Sequence, residues 1–383
     1  MKKSVKKSPE GRKRKTVPLK VTTQEKLYVG VDVHKHNYQV VVWSTPRRGE
    51  FGKWTGPSQS TTITKRLEAY RSQVVKIVYE AGPTGYGLAR TLQEEGWPIE
   101  VVSPAHTPVT PGDRDKSDRL DAEKLAIYAS QNLLRPIYVL TEQEDHDRSI
   151  FRNRDRIVGD IRRIKNRIKG RLLYNGIPEP EGLQYWSKSS LQLLSALDLA
   201  KELRQEMDDM LSELSHLTKT LQKATRRLEE LSKTERYRDR VARMTTVPGV
   251  GMLTAMAFLL EIPHLDRFES PRQIARMLGL SPQIRSSGET VRQQGRQLGG
   301  VSRVRTLLVE AAWVWKKLDP LAAERYAQLV RNTGSYKKAI TGLARKLGII
   351  LWRLALDPLP YCRGLMNIPD SVAQGMIRKA ESV

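Results

Sequence analysis

Cysteine is nearly absent from this chain, and histidine is scarce. The 383 residues include one cysteine, Cys362, and six histidines. A single cysteine excludes an intrachain disulfide and suits a reducing compartment. Together with so few scattered histidines, it also excludes a zinc module built from cysteine and histidine ligands.

Long apolar runs are missing as well. Hydrophobic residues make up 39% of the chain, which is enough for ordinary cores. No stretch approaches the roughly 20 apolar residues that a membrane-spanning helix needs. The first residues are basic and lack an apolar segment behind them, which argues against a secretory signal. We therefore expect no membrane partner and a cytoplasmic location.

Acidic residues are outnumbered by basic ones. There are 66 lysines and arginines against 42 aspartates and glutamates, giving a net charge of +24. An enzyme acting on a neutral metabolite has no need of this excess. A polyanion partner explains it, because neutralising phosphates releases counterions and drives binding. The length suggests two or three domains.

Residues 1–25 form a distinct basic region. The first twenty residues contain nine lysines and arginines and one acid, Glu10, without hydrophobic periodicity. We predict a disordered arm that follows a phosphate backbone. A tail that merely improves solubility is the alternative interpretation.

Residues 26–142 have the pattern of an α/β domain. Apolar runs predict strands at 27–33, 38–43, 74–80 and 98–102, the first two forming a hairpin. Helical patterns lie near 61–72, 88–95 and 118–130. A Pro- and Gly-rich stretch around Phe51 to Pro57 separates the hairpin from the first helix. Strands followed by alternating helices indicate an α/β layer.

Residues 143–240 lack strand signals and predict two long helices. The segment from Arg148 to Arg171 carries ten basic and two acidic residues, with isoleucines spaced three and four apart. Its cations Arg162, Arg163 and Lys165 are candidates for contacting nucleic acid. A second helical tract runs from about Leu191 to Lys233. The two tracts predict an antiparallel helix pair or a coiled coil, which serves either oligomerisation or spacing.

Residues 241–358 are predicted to be helices joined by loops, followed by a tail at 359–383. The segment Val247-Pro248-Gly249-Val250-Gly251 lies between two helical patterns. Gly249 and Gly251 would let backbone N–H groups approach a phosphate at a helix N-terminus. The segment is similar to a helix-hairpin-helix, and a plain tight turn is the alternative.

Four carboxylates form the first candidate site. Asp32 and Glu80 end two predicted apolar strands, and Asp118 and Asp121 lie three residues apart on one helix face. An unpaired charge is costly at the end of a buried strand. Hard oxygen ligands suit Mg²⁺, and two such ions can assist phosphoryl transfer. Ordinary ion pairing with the abundant arginines is the alternative.

A serine loop forms the second candidate site. Ser286 and Ser287 precede Gly288 in a segment rich in cations that can bind phosphate: Arg285, Arg292, Arg296, Arg303 and Arg305. A serine attacks a phosphodiester when its proton is removed and the phosphate charge is neutralised. The spacing alone is a weak signal, because Ser-Ser-Gly is common in loops.

Five motifs in order give this chain a family resemblance. They are Gly30 to Lys35, Glu80 to Tyr86, Lys116 to Ala122, Val247 to Ala255, and Gly279 to Gly288. The first three resemble the DEDD signature of the IS110 family, which comprises bacterial insertion-sequence transposases also called bridge-RNA-guided recombinases. The last two are similar to the serine-bearing transposase domain of that family. The match extends from about Lys26 to Leu356.

The resemblance implies both a fold and a set of residue roles. It implies an RNase H-type, RuvC-like domain with Asp32, Glu80, Asp118 and Asp121 as Mg²⁺ ligands. It implies Ser287 as the nucleophile, with Ser286 as the fallback, in a site shared between subunits. A non-coding RNA would pair with donor and target DNA. The long helices would assemble a homo-oligomer, a dimer or tetramer, associated with the bacterial nucleoid during transposition.

The chain departs from the family pattern in two places. Many relatives carry a lysine after the serine segment, where this chain has Gln297-Leu298-Gly299-Gly300. Arg292 or Arg296 would then have to neutralise phosphate in its place. The basic arm is also longer than the family core requires.

Two alternatives to the transposase interpretation follow from the residues. One is a junction-resolving or RNase H-like nuclease, in which a metal-activated water attacks and Ser287 only binds phosphate. The other is a basic protein that packages RNA or DNA, with purely structural acids. Both keep the nucleic-acid partner that the charge indicates.

Overall fold

The computed structural model describes residues 25–108, 118–287, 290–296 and 300–361, excluding the side chains of His106, Asp118, Arg119, 282–287 and 290–296. The predicted basic arm, except for Glu25, and most of the predicted tail lie outside this description. The chain divides into two compact units, with the boundary between Thr141 and Glu142.

The first unit is built on one six-stranded sheet in the order β3-β2-β1-β4-β5-β6. Its strands are β1 (Leu27–Val33), β2 (Asn37–Ser44), β3 (Gly49–Pro57), β4 (Val74–Glu80), β5 (Ile99–Val102) and β6 (Pro136–Ile137). Strand β2 pairs in antiparallel fashion with both β1 and β3. Strands β4 and β5 run parallel to β1, and β6 is antiparallel to β5. The predicted α/β layer is confirmed.

Helices cover both faces of this sheet. They are α1 (Thr61–Leu67), α2 (Gly87–Glu94) and α3 (Asp118–Ser130), and a 3₁₀ turn (Glu68–Gln73) follows α1. Val29 and Val31 share a core with α1 and α2. Tyr28 and Val78, on the opposite face, pack with Leu125 of α3. The alternation follows from the two-residue period of strand side chains.

Residues 51–57, for which the sequence predicts no strand, form most of β3. Glycine and proline weaken the strand signal, yet both are tolerated on an edge strand. Phe51 is buried in the core. Trp54 Nε1 donates a hydrogen bond of 2.8 Å to the Thr62 carbonyl at the start of α1. Pairing with β2 and this contact with α1 hold the segment extended.

The second unit begins with two long antiparallel helices, α4 (Glu142–Tyr174) and α6 (Lys201–Ser232). Their direction follows from side-chain pairs, since Arg171 contacts Glu206 and Arg167 contacts Glu213. Ile164, Ile168 and Leu172 of α4 form a common core with Met207, Met210 and Leu214 of α6. The predicted helix pair is confirmed, whereas its role in assembly stays a prediction.

The second predicted tract was too long at its N-terminal end. It contains a separate helix, α5 (Lys188–Ser195), and a break before α6. One guanidinium nitrogen of Arg204 lies 3.1–3.3 Å from the carbonyl oxygens of Leu194, Ser195 and Leu197. Carbonyls at the end of a helix have no intrahelical partner, so Arg204 stabilises this break.

The remainder of the second unit packs around one large core. Its helices are α7 (Arg238–Met244), α8 (Met252–Glu261), α9 (Pro271–Met277), α10 (Ser302–Leu318), α11 (Pro320–Thr333) and α12 (Tyr336–Leu356). Residues of α4 and α6, including Phe151 and Leu228, also belong to this core. A single hydrophobic core therefore includes side chains from both residues 143–240 and residues 241–358, two regions that differ in sequence pattern.

The predicted loop around the two serines is largely a β-hairpin. Strands β7 (Pro282–Ser287) and β8 (Thr290–Arg296) pair in antiparallel fashion. The prediction of an all-helical region with loops was wrong here, because polar residues and arginines give these strands no apolar run. Only Gly288 and Glu289 separate the strands in the sequence, a spacing typical of a tight hairpin.

No helix within the described ranges is both long enough and apolar enough to cross a membrane.

Candidate active site

The carboxyl ends of β1 and β4 meet at one edge of the sheet. The two strands are parallel neighbours, and Val31 pairs with Tyr79. The next residues along the strands are Asp32 and Glu80. Because side chains alternate along a strand, both acids point to the sheet face that α3 covers. The register of the sheet therefore brings these two predicted acids together.

Gly30 lets α3 approach this edge closely. A Cβ atom on Gly30 would lie 1.9 Å from the carbonyl oxygen of Ala122 and 2.7 Å from the nitrogen of Ala126. Only a residue without a side chain permits this backbone contact. Asp121 precedes Ala122, so the contact places the first turn of α3 near Asp32. Asp118 begins α3, and its side chain lies outside the description.

Three of the four predicted acids line one pocket, which we call the acidic pocket. Its volume is about 550 Å³, and Asp32, Glu80 and Asp121 all contribute to its wall. The remaining wall comes from the segments directly after β1 and β4, at 33–35 and 81–84, together with Val31 and Leu125. Two strand ends and one helix start thus form a concave site with three carboxylates.

Two further residues contact the acids and were given no role by the sequence. His34 Nε2 lies 2.8 Å from Asp32 Oδ2, so the ring N–H donates to the carboxylate. The Thr107 hydroxyl donates to Glu80 Oε1 at 2.7 Å. His34 stands two residues after Asp32, which could have signalled the contact. Thr107 is 27 residues from Glu80, and no sequence pattern links them.

The carboxylates of the acidic pocket are not gathered as a ligand set. Among the described side chains, there is no group of three or more His, Cys, Asp and Glu positioned to hold a metal ion. Like-charged carboxylates repel one another, and Asp32 and Glu80 each accept a hydrogen bond from a neighbour. The four-ligand metal site therefore stays a prediction.

Both candidate serines lie at the end of β7. Ser286 pairs with Val291 and Ser287 with Thr290 across the hairpin. Arg285 pairs with Arg292, and Pro282 with Arg296. The side chains of the serines and of these arginines lie outside the description, as does Gly288. The backbone thus puts Ser287 last in its strand, and its chemical role is untested.

Helix packing explains the first glycine, Gly249, in the turn between α7 and α8. Gly249 has a φ of +87°, and a Cβ atom there would lie 2.8 Å from the Trp315 nitrogen of α10. Gly251 is exposed at the start of α8, with nothing within 4 Å of its Cβ position. A close helix contact therefore accounts for Gly249, while phosphate binding at this turn stays a prediction.

The predicted cations of α10 differ in their surroundings. Arg303 Nε donates to Asp155 Oδ2 of α4 at 2.7 Å, so an acid already balances its charge. Arg305 is half-buried, and its Nη1 lies 3.4 Å from the Leu278 carbonyl. Arg303 therefore joins two helices, whereas Arg305 lines a groove described below.

The predicted cations of α4 also differ. Arg162 is exposed, and Arg163 is exposed but pairs with Asp160. Lys165 Nζ lies 5.0 Å from the centre of the Trp186 ring, and burial lowers the pKa of this lysine. Arg162 and Arg163 are exposed whereas Lys165 is half-buried, and nucleic-acid contact by this group stays a prediction.

Comparisons with known proteins identify transposase domains in both halves of the chain. Residues 29–174 match the DEDD transposase domain model of IS110, and residues 241–327 match the model described as Transposase IS116/IS110/IS902 family. A DEDD-type transposase domain suggests the use of a divalent metal, and a transposase has DNA as its substrate.

Curated relatives extend the match over most of the chain. Transposase y4qE of Sinorhizobium fredii is 30% identical over 88% of this chain and 90% of that protein. The transposase of insertion sequence IS1533 from Leptospira borgpetersenii is 27% identical, covering 76% and 85% respectively. That of IS1111A from Coxiella burnetii is 28% identical, covering 73% and 77%. This chain belongs to the IS110 family and is a transposase of an insertion sequence.

Proposed function

We propose that this transposase exchanges DNA strands through a covalent bond between Ser287 and DNA. The observation that supports it most directly is that Asp32, Glu80 and Asp121 all line the acidic pocket. A pocket of three carboxylates repels a phosphodiester unless a cation intervenes. The proposal therefore joins a cation site in the first unit to a hydroxyl from the second.

Asp32, Glu80, Asp118 and Asp121 are the proposed holders of Mg²⁺. Their oxygens are the donors this hard cation prefers, and at least three of them line the same wall. Bound there, Mg²⁺ would supply neutralisation of the charge that develops on the scissile phosphate. His34 and Thr107 would orient the carboxylates of Asp32 and Glu80 through their hydrogen bonds.

Ser287 would make the attack in this mechanism. Its Oγ forms a bond to the phosphorus, and the bond from phosphorus to the departing strand breaks. The serine proton ends on the departing oxygen, which becomes a free hydroxyl. Attack of a second strand's hydroxyl on the phosphoserine reverses these steps, so the phosphodiester is conserved without an external energy source. Two such exchanges would move the element into its target.

A structured non-coding RNA and a homo-oligomer complete the proposal. The RNA would pair with donor and target DNA, and a dimer or tetramer would bring the serine of one subunit to the carboxylates of another. The family resemblance and the net charge of +24 support a nucleic-acid assembly. The proposed RNA partner is tested by sequencing nucleic acid that copurifies with the chain. The proposed oligomer is tested by measuring the mass of the protein in solution.

The decisive experiment is a search for a covalent protein–DNA adduct in Ser287→Ala and Ser286→Ala variants. We expect the adduct to vanish in Ser287→Ala, because the attacking hydroxyl is lost, and to persist in Ser286→Ala, which is the matched control because it removes the adjacent hydroxyl. Loss in Ser286→Ala alone would move the nucleophile by one residue. DNA cleavage that survives in Ser287→Ala without any adduct would instead favour the nuclease with metal-activated water.

The carboxylates have their own test in the same assay. Asp121→Asn keeps the size of the side chain and removes its charge, so we expect adduct formation to fall by at least about a hundredfold. Glu123→Gln is the matched control, since Glu123 lies on α3 but does not line the acidic pocket. Equal activity of the two variants would exclude a role for Asp121 in the reaction.

A further inference from the structure

A cationic groove lies between α10 and α12 in the second unit. Its volume is about 790 Å³. Its lining includes four basic residues, Arg305, Lys337, Lys338 and Arg345, and one acidic residue, Glu310. Leucine and valine side chains and Trp313 line the rest, along with threonines. A pocket of this size accommodates a ligand of nucleotide dimensions, and its charge favours an anion.

The position of two lysines strengthens the case for an anionic ligand. Lys337 and Lys338 are exposed residues in the first turn of α12, which contains no acidic residue. The positive end of the helix dipole disfavours cations there and favours acids. No ion pair involving Lys337, Lys338 or Arg345 occurs within the part of the chain that is described. An anion bound in the groove would offset this concentration of positive charge.

Trp313 indicates which kind of anion fits. About 40% of this residue is exposed, and it lies on the groove wall beside the basic residues. Lys316 Nζ lies 5.1 Å from its ring centre. An aromatic surface next to phosphate-binding cations is the arrangement that binds single strands, because an unstacked base can lie on the ring. A base within a duplex is not available for such a contact.

We propose that the groove between α10 and α12 binds a single-stranded segment of nucleic acid. Arg305, Lys337, Lys338 and Arg345 contact the phosphates, and a base stacks on Trp313. Leu280 and Ser281 line the groove, and β7 begins at the next residue. A strand held here is led towards the hairpin that carries Ser287. The identification of the anion as nucleic acid rests on the proposed function.

The test measures binding of a short fluorescent oligonucleotide by anisotropy, using the full chain with Ser287→Ala so that no covalent product forms. Three probes are compared, single-stranded DNA, single-stranded RNA and duplex DNA of one sequence. We expect Lys338→Glu and Trp313→Ala each to weaken single-strand binding about tenfold. Duplex binding should change much less, because a duplex offers no unstacked base.

Matched controls separate the groove from general charge. Lys317→Glu makes the same charge change at an exposed site on α10, and Leu318→Ala truncates an exposed apolar residue at its end. Glutamate at position 338 suits the first turn of a helix, so misfolding does not explain a loss. If Lys338→Glu and Lys317→Glu weaken single-strand binding equally, or if Trp313→Ala and Leu318→Ala do, the proposed role of the groove is wrong.

The RNA and DNA probes distinguish the source of the strand. Preference for RNA assigns the groove to a guide strand, and preference for DNA assigns it to the substrate. Equal affinity supports contacts with the phosphates and base that both share. The adduct assay on the chain with Ser287 intact is run in parallel. If no adduct forms but Lys338→Glu and Trp313→Ala still weaken single-strand binding, the serine mechanism is wrong and the groove proposal stands. If the adduct forms but these two variants bind single strands normally, the groove proposal is wrong and the serine mechanism stands.

Discussion

At the scale of single residues, Gly30 controls how closely α3 lies on β1. The backbone of Ala122 occupies the space that any side chain at position 30 would need. Ala122 and Ala126 are both fully buried at this contact. The next residue on the same face of β1 is Asp32, and the residue before Ala122 is Asp121. The distance between two candidate catalytic acids therefore depends on a missing Cβ atom.

We expect Gly30→Ala to lower the free energy of unfolding by about 3 kcal/mol or more, because the helix must move away from the strand. Gly52→Ala is the matched control, since nothing lies within 4 Å of its Cβ position on β3. That change should cost little or stabilise slightly. Denaturant unfolding of both variants measures the difference. Equal stability would show that α3 adjusts freely, contrary to the proposed constraint.

The raised pKa of Tyr79 leads us to expect a loss of stability at high pH. Burial raises the pKa of Tyr79 to about 12, from 10.0 for an unperturbed tyrosine. Folding therefore favours the neutral phenol, and this contribution is fully present below pH 10. It is lost as the pH rises from about 10 to about 12. Unfolding measured across this range should show a shallower decline for Tyr79→Phe than for the unmodified chain. Identical declines would contradict the prediction.

Single residues also show how much of the candidate active site could be predicted from the sequence. Asp32, Glu80 and Asp121 were predicted because acids at the ends of apolar strands, and on the face of an adjoining helix, are conspicuous. Thr107 was not, because its contact with Glu80 depends on where the chain goes after β5. Side-chain hydrogen bonds between residues distant in sequence follow from tertiary packing and leave no local pattern.

At the scale of elements, helices were predicted more reliably than polar strands. The spacing of Ile164 and Ile168 gives α4 an apolar stripe, and α6 supplies the matching one. Strands β7 and β8 have no such stripe, and cross-strand pairing makes them strands. Strand β3 was missed for a related reason, because its glycines and proline resemble a loop. Pairing partners, which sequence periodicity does not reveal, decide such segments.

The packing of α4 on α6 gives a test with two adjacent leucines. Leu172 is fully buried in their shared core, whereas Leu173 is 81% exposed. We expect Leu172→Ala to destabilise the second unit by about 2–5 kcal/mol, through lost burial and the cavity left behind. Leu173→Ala should change stability by no more than about 0.5 kcal/mol. Thermal or denaturant unfolding compares them, and a similar cost at both positions would show that Leu172 is not buried between α4 and α6.

At the scale of the whole molecule, charge is the dominant property. With 66 lysines and arginines against 42 aspartates and glutamates, one-to-one ion pairing would still leave 24 cations without an acid. Some cations are engaged in ion pairs within the protein, as Arg303 is with Asp155 and Arg152 is with the buried Glu261. Others, including Arg162 and Lys337, are exposed. The exposed group is the one expected to carry the electrostatic attraction for nucleic acid.

We expect DNA binding to weaken steeply with salt, since each neutralised phosphate releases counterions. With six to ten phosphate contacts, affinity should fall about 10³- to 10⁵-fold between roughly 50 and 200 mM salt. Duplexes of unrelated sequence should show nearly the same slope, because phosphate contacts carry no sequence information. Anisotropy titrations at several salt concentrations measure it. An affinity independent of salt would show that the positive charge serves another purpose.

The sequence by itself determined the α/β and helical regions, the long helix pair, the preference for a polyanion, and three acids that share a pocket. These features depend on local periodicity, composition and strand-end position, which neighbouring residues set. The tertiary structure alone decided the β7–β8 hairpin, the partners of Asp32 and Glu80, the close approach of α3 at Gly30, and the cationic groove. The contact of Thr107 with Glu80, the approach of α3 at Gly30 and the groove join segments far apart in the chain, so long-range packing fixes them. The hairpin and the contact of His34 with Asp32 are local, but they depend on cross-strand pairing and side-chain geometry, which composition and periodicity do not reveal.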